Sequence, residues 1–291
     1  MRARNLIPRC LGVVLFTLAL MSSGCASFWL LYPGMAESND PHLDPKDAGY
    51  SYHTVSVTNA QGYRLTGWLF DKPGDYGTVL VAGGNAQNIS STYSVSRYLI
   101  NNGFRVLVFT YQGFGSNEGH AELSSLIGDA QAFYVFVENK YKREPIAFAG
   151  YSTGAVTGLC LGDRDQLSAV VVEGTFNPKT VLSDKHLYIA MAVDPMLESS
   201  VPDDLDTSRC LQELKSVPVL FLHNPNDPLA PYGSARRLFD SYQGPKEFID
   251  TNAAPGTDAH YGSVSDPDAR TKVLAFLKVH LAVPGTKVDS R

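Results

Sequence analysis

Short apolar runs recur along this chain, and segments of helical spacing separate them. Residues 52–57 and 63–69 read as two hairpin strands around the turn Asn59-Ala60-Gln61-Gly62. Residues 78–82 (TVLVA) form a continuous apolar run, repeated by 104–110 (FRVLVFT), 145–150 (PIAFAG), 167–172 (LSAVVV) and 218–222 (PVLFL), with a last strand at 247–249. Runs rich in β-formers that do not alternate suit a parallel sheet, because helices cover both of its faces.

The spacers supply those helices. Leu123, Leu126, Ile127, Ala130, Tyr134 and Val137 share one helical face, and Val95 and Leu99 do the same before Gly103, a predicted C-terminal stop. Asp266-Pro267 is a helix start, followed by a stripe of Val273, Phe276, Leu277 and Leu281. The repeated βα unit predicts a doubly wound α/β domain over residues 51–281, mostly parallel, with helices on both faces. The one long irregular gap, 175–216, reads as a short cap of one or two helices. A lead-in over 25–50, apolar at FWLLYPG and polar over 36–49, precedes the domain, and a tail over 282–291 follows it.

Composition narrows the class. The 291 residues are 44% apolar and carry 15 Tyr and 14 Phe, enough for a sizeable core. Net charge is −5 and no basic stripe appears, so nucleic acid is not an expected partner. Arg2, Arg4 and Arg9 fall in the first 24 residues with no acid, so the remainder is more acidic still.

Those first residues have the layout of a secretory signal: a basic start, the apolar run LGVVLFTLALM at 11–21, then Ser22, Ser23 and Gly24. The junction SSGC-Ala26-Ser27 resembles the lipobox of bacterial lipoproteins, with Ser22 where that family usually has leucine. The resemblance implies cleavage after residue 24 and acylation of Cys25. Ala26 in second place, by the same resemblance, implies the outer membrane facing the periplasm. The expected partners are therefore a membrane, through that anchor, and a small-molecule or lipid acyl substrate. Of four cysteines, Cys10 leaves with the signal. Cys160 and Cys210 remain, either as a disulfide, which export permits, or with Cys160 as a buried thiol in AVTGLCLG.

Chemistry concentrates at Gly150-Tyr151-Ser152-Thr153-Gly154, the chain's one G-x-S-x-G. A strand runs into it and a helical segment follows, the context a nucleophile elbow requires. A serine hydroxyl needs a base to take its proton. His260 sits in the polar loop NAAPGTDAHYG between the last strand and the last helix. His280 reads as helical and structural, His186 lies in the cap, His223 ends a strand, and His42, His53 and His120 precede the elbow. The residue that orients the base is expected at Asp227, in NPNDPLAP just past a strand end, with Asp250 and Asp258 as competitors. Backbone N–H groups of Thr153 and of Asn85, in Gly83-Gly84-Asn85-Ala86, are the expected oxyanion donors, with Ala86 in reserve. No C-x-x-C or H-E-x-x-H spacing and no P-loop occurs, so neither metal nor cofactor is expected.

The stretches QGYRLTGWLF, VAGGNAQNIS, TYQGFGSNEG, GYSTG, VPVLFLHNPNDPLAP and DAHYG together resemble the α/β-hydrolase superfamily over nearly all of 30–281. They are similar to small-cap serine hydrolases related to monoacylglycerol lipases and protein depalmitoylases. Two positions depart from that pattern. The usual His-Gly is Gly83-Gly84, a change within the oxyanion loop that is expected to loosen it, and the usual Asp-Tyr-Arg-Gly is Thr110-Tyr111-Gln112-Gly113. The resemblance implies hydrolysis of acyl esters or thioesters through an acyl-enzyme. A peptidase or amidase on the same triad, and a non-catalytic binding lipoprotein, are the alternatives. The apolar stretch 187–193 with Met196 and Leu197 mildly favours an acyl chain.

Overall fold

The computed structural model describes residues 31, 43–72, 76–85, 87–162, 166–181 and 199–283. The signal, Cys10, Cys25, His42, Ala86, His186, the apolar cap residues 187–197 and the tail beyond 283 lie outside the described residues.

Eight strands form one sheet: β1 (His53–Thr58), β2 (Arg64–Phe70), β3 (Thr78–Ala82), β4 (Arg105–Phe109), β5 (Ile146–Tyr151), β6 (Ala169–Glu173), β7 (Val219–His223) and β8 (Lys246–Asp250). Their order is β1-β2-β4-β3-β5-β6-β7-β8. The β1–β2 and β2–β4 pairs are antiparallel and the others parallel. At the hairpin, Asn59 Oδ1 accepts from the N–H groups of Gln61 and Tyr63, and Gly62 takes φ +86°. That side-chain turn is why an Asn-x-x-Gly step closes it. Strands β3 to β7 are buried at every residue, as runs without alternation require.

The described helices are α1 (Ile89–Asn101), α2 (Leu126–Lys140), α3 (Thr153–Leu161), α4 (Thr207–Glu213), α5 (Tyr232–Ser241), the single turn α6 (Gly262–Ser265) and α7 (Pro267–His280). One sheet face packs Leu80, Phe109 and Phe148 against Phe133 of α2, Val156 of α3 and Leu238 of α5. The other packs Val79, Val108 and Ala149 against Leu99 of α1 and Val273 of α7. Helix starts are set by side chains: Asn88 Oδ1 accepts from Ser91 N at α1, and Asp266 Oδ1 from Asp268 N and Ala269 N at α7.

Of the cap, the structure describes a 3₁₀ turn (Asp203–Leu205) and α4. Helix α4 returns to the domain, where Cys210 forms a disulfide with Cys160 of α3. The open choice at Cys160 thus resolves to a bridge spanning 50 residues, and the buried-thiol alternative falls.

Candidate active site

Parallel strands β3, β5, β6 and β7 all end at one edge of the sheet, and the chemistry-bearing residues gather there. Ser152 follows β5 and precedes α3, with φ +54° and ψ −116°. A non-glycine residue held at such an angle costs about 1–3 kcal/mol and needs surroundings that over-determine it. The surroundings do so. A side chain at Gly150 would strike the backbone of Gly154, and one at Gly154 would strike the backbone carbonyl of Ala82. Strand, helix and β3 therefore meet only because both glycines lack Cβ. Ser152 N–H donates to the Glu173 carbonyl of β6 (2.8 Å), which pins the turn from the opposite side.

The loop after β7 carries Asp227, 1% exposed at its side chain. Its Oδ1 accepts main-chain N–H groups from Leu229 (2.7 Å) and Ala230 (3.0 Å), leaving Oδ2 aimed at His260 Nδ1, 2.7 Å away. Burial alone would raise the Asp227 carboxyl, but the His260 bond and charge and the two N–H groups more than offset it, holding it below the usual carboxylate range. The competitors are otherwise engaged: Asp250 accepts from Tyr232 Oη (2.6 Å), and Asp258 accepts from the main-chain N–H of His260, not its ring.

His260 is 3% exposed and lies in a short 3₁₀ turn, Ala259–Tyr261. The loop leading to it is anchored by Asp266, whose Oδ2 accepts from Asn252 N (2.8 Å). A Cβ on Gly174, which directly follows Glu173, would sit 2.8 Å from His260 Cε1. Ser152 and His260 thus both lie against the Glu173–Gly174 step at the end of β6.

His223 is fully buried at the end of β7; its Nε2 meets the Ala230 carbonyl at 3.0 Å, which makes it a structural support for the Asp227 loop. His280 packs on Phe276, and His53 and His120 are exposed.

The loop after β3 comes close to the elbow: a Cβ on Gly84 would lie 2.9 Å from Ser152 Cβ and 2.7 Å from Tyr261 Oη. Gly84 N–H is already donated to Gln87 Oε1 at 2.7 Å. The same Gln87 oxygen, with Thr92 Oγ1, occupies the space a side chain at Gly83 would need. Gln87 thus braces the loop at Gly83 and Gly84. Thr153 opens α3, so its N–H has no intrahelical carbonyl to meet and carries the positive end of the helix. At the second departure, Gln112 is neutral and buried; it accepts from Asn59 Nδ2 and donates to the His120 carbonyl, while its N–H donates to Asp129.

Sequence reasoning missed Glu173 and Gln87, and read Asp266 only as a helix start. An acid closing the apolar strand run at 167–172 was the available signal for Glu173. A cavity of about 580 Å³ opens between Trp68, Phe114 and the start of α1, and neither Ser152, Asp227 nor His260 lines it. Among the described residues no cluster suited to a metal ion occurs.

This fold, with a serine at the β5 elbow, is that of the α/β-hydrolases. The profile of the serine aminopeptidase S33 hydrolase family matches residues 75–202, the stretch from β3 to the cap, ending before Asp227 and His260. The chain is 25% identical over 210 residues to the uncharacterized protein YfhR of Escherichia coli, covering 69% of this chain and 72% of that one. It is 22% identical over 229 residues to protein bem46 of Schizosaccharomyces pombe, covering 72% and 75%. Among solved structures, an esterase of Pyrococcus furiosus superposes with a TM-score of 0.63 at 18% identity, covering 83% of this chain and 96% of its own. The esterase domain of a Rhodothermus marinus protein gives 0.55 at 21% identity, covering 79% and 97%.

Proposed function

We propose that this protein is a serine hydrolase of acyl esters or thioesters, with Ser152 as nucleophile, His260 as base and Asp227 as the residue that orients the base. The observation that carries this reading is the 2.7 Å bond from His260 Nδ1 to Asp227 Oδ2, at the sheet edge where Ser152 holds its strained elbow. With Nδ1–H committed to Asp227, Nε2 presents its lone pair and can take the Ser152 proton. The hydroxyl oxygen then attacks the acyl carbonyl, and the N–H groups of Thr153 and Asn85 receive the developing oxyanion. Imidazolium gives its proton to the leaving alcohol or thiol, and a water activated by the same nitrogen releases the acid.

The family profile bears the name of an aminopeptidase, which favours a second reading, cleavage of amides by the same groups. Solved esterases among the structural neighbours favour the first. The deciding experiment compares kcat/KM for an ester and an anilide of the same short acyl group, after labelling Ser152 with a fluorophosphonate. Faster turnover of the ester supports the proposal; an anilide turned over as fast or faster replaces it with the amidase. Neither labelling nor turnover leaves the binding lipoprotein. The substrate is proposed to be a small-molecule or lipid acyl compound, met at a membrane to which acylated Cys25 tethers the exported chain.

A further inference from the structure

Glu173 is an expensive residue where it stands. It closes β6 at 3% exposure, between β5 and β7 at the functional edge. Its carboxylate accepts Ser263 N–H at 2.7 Å on one oxygen and the Ser263 hydroxyl on the other. Both hydrogen-bond partners are neutral and no salt bridge is made among the described residues, so the buried charge is weakly compensated compared with an apolar side chain of similar size. What those bonds reach is the segment that carries His260, three residues before Ser263. The same residue's carbonyl receives Ser152 N–H. One side chain and one carbonyl of Glu173 thus hold both halves of the proposed proton-transfer pair.

We infer that Glu173 is a positioning residue for His260, clamping Ser263 so that the imidazole is held at a fixed height over Ser152, and that its negative charge favours the imidazolium formed during the reaction. The inference rests on the serine-hydrolase reading. A carboxylate performs this clamp best when ionised, because an ionised acceptor makes the stronger hydrogen bonds. Burial, helped by the Asp227 charge, outweighs the two Ser263 bonds and the nearby His260 charge, and the Glu173 carboxyl is pushed up to about 7. Tyr98 of α1, Tyr151 of β5 and Tyr261 face the same cluster, with Arg270 of α7 beyond Tyr98. The clamp therefore tightens as Glu173 loses its proton near neutrality.

The test is p-nitrophenyl butyrate hydrolysis from acid to alkaline pH by wild type, Glu173→Gln and Ser263→Ala, with fluorophosphonate labelling and thermal unfolding alongside. For Glu173→Gln, kcat falls about 10- to 100-fold with KM within about twofold, the cost of a slightly misplaced base. The acid limb of its kcat/KM profile becomes shallower than that of the wild type, since residue 173 no longer titrates. Ser263→Ala, which keeps the charge, lowers kcat less and keeps the steeper limb. Wild-type kcat and an unchanged acid limb in a folded Glu173→Gln overturn the inference, as does a change confined to melting temperature. Should Glu173→Gln not fold, Ser263→Ala decides: a lowered kcat at constant KM supports the clamp, and an unchanged kcat overturns it. A wild type that neither labels nor turns over ester is a separate result, and the clamp falls with the hydrolase reading.

Discussion

Replacing Asp227 by asparagine changes one heavy atom and nothing in the packing, yet the surrounding bonds determine a large effect. Oδ1 sits under two donors, Leu229 N–H and Ala230 N–H, so in Asp227→Asn the amide oxygen must stay there. The amide nitrogen then faces His260 Nδ1 and donates to it. The imidazole is forced into the tautomer with its proton on Nε2, where it cannot accept one from Ser152. Flipping the amide would restore the productive tautomer but would set NH₂ against the Leu229 and Ala230 N–H groups. Leaving those two unsatisfied costs about 2 kcal/mol at the least, which confines the productive flip to a few per cent of molecules. Tautomer population alone thus predicts a loss of about 30-fold, and losing the charge that stabilises imidazolium carries the total toward about 10⁴-fold, or roughly 5.5 kcal/mol.

The assay is kcat/KM on p-nitrophenyl butyrate with fluorophosphonate labelling rates, and thermal unfolding to show an intact fold. Activity of Asp227→Asn within about threefold of wild type would refute the reasoning. Collapse of activity in Asp250→Asn or Asp258→Asn instead would move the orienting acid to that residue.

Ser152→Ala abolishes labelling and turnover while the protein melts normally, His260→Ala does nearly the same, and the double variant is no worse than either; additive losses would deny that the two act as a unit. Breaking the Cys160–Cys210 bridge by Cys210→Ser lowers unfolding free energy by about 2–4 kcal/mol, because the unfolded chain regains the freedom of a 50-residue loop; an unchanged denaturation midpoint speaks against it. Burial raises and three main-chain N–H groups more strongly lower the Asp266 carboxyl, so its contribution is present above the unfolded carboxylate pKa and is lost as pH falls through its lower folded value. Asp266→Asn therefore flattens the acid side of the stability–pH curve, read by urea unfolding from pH about 6 down to about 3. Cys25→Ser releases the protein from the membrane fraction or blocks its processing without altering the hydrolytic rate. A soluble wild type with an unmodified mature N-terminus would remove the anchor, which needs more than one acyl chain to hold firmly.

What the sequence made legible was what local sterics and strand patterning encode. The buried strands announce themselves because each is apolar at consecutive positions, and their ends fall within one or two residues of those expected. Asn59-x-x-Gly62 and Asp266-Pro267 are visible because the turn and the helix start are made by the residue's own side chain. The elbow is visible because Gly150 and Gly154 are demanded by backbone contacts to the turn itself and to β3. The cysteine pairing was not legible, since nothing in AVTGLCLG reveals that α4 returns to lie beside it.

Glu173 was illegible for a different reason, and that reason bears on how the site works. Its carboxylate bonds to a residue 90 positions away, so no window of sequence contains both partners. Gln87 lies only three residues from Gly84, from whose N–H it accepts, yet its residue type does not mark it as a brace. Each of these groups supports another residue rather than carrying the proposed chemistry. The proposed nucleophile, acid and base each follow a strand in a fixed chain order, which a sequence displays. Their supports need only arrive at the right atom, from whichever element passes nearby, and any donor or acceptor of suitable reach will serve. Residues proposed to react are therefore constrained by topology, whereas residues that aim them are constrained only by geometry, and it is in the second group that a single sequence runs out of signal.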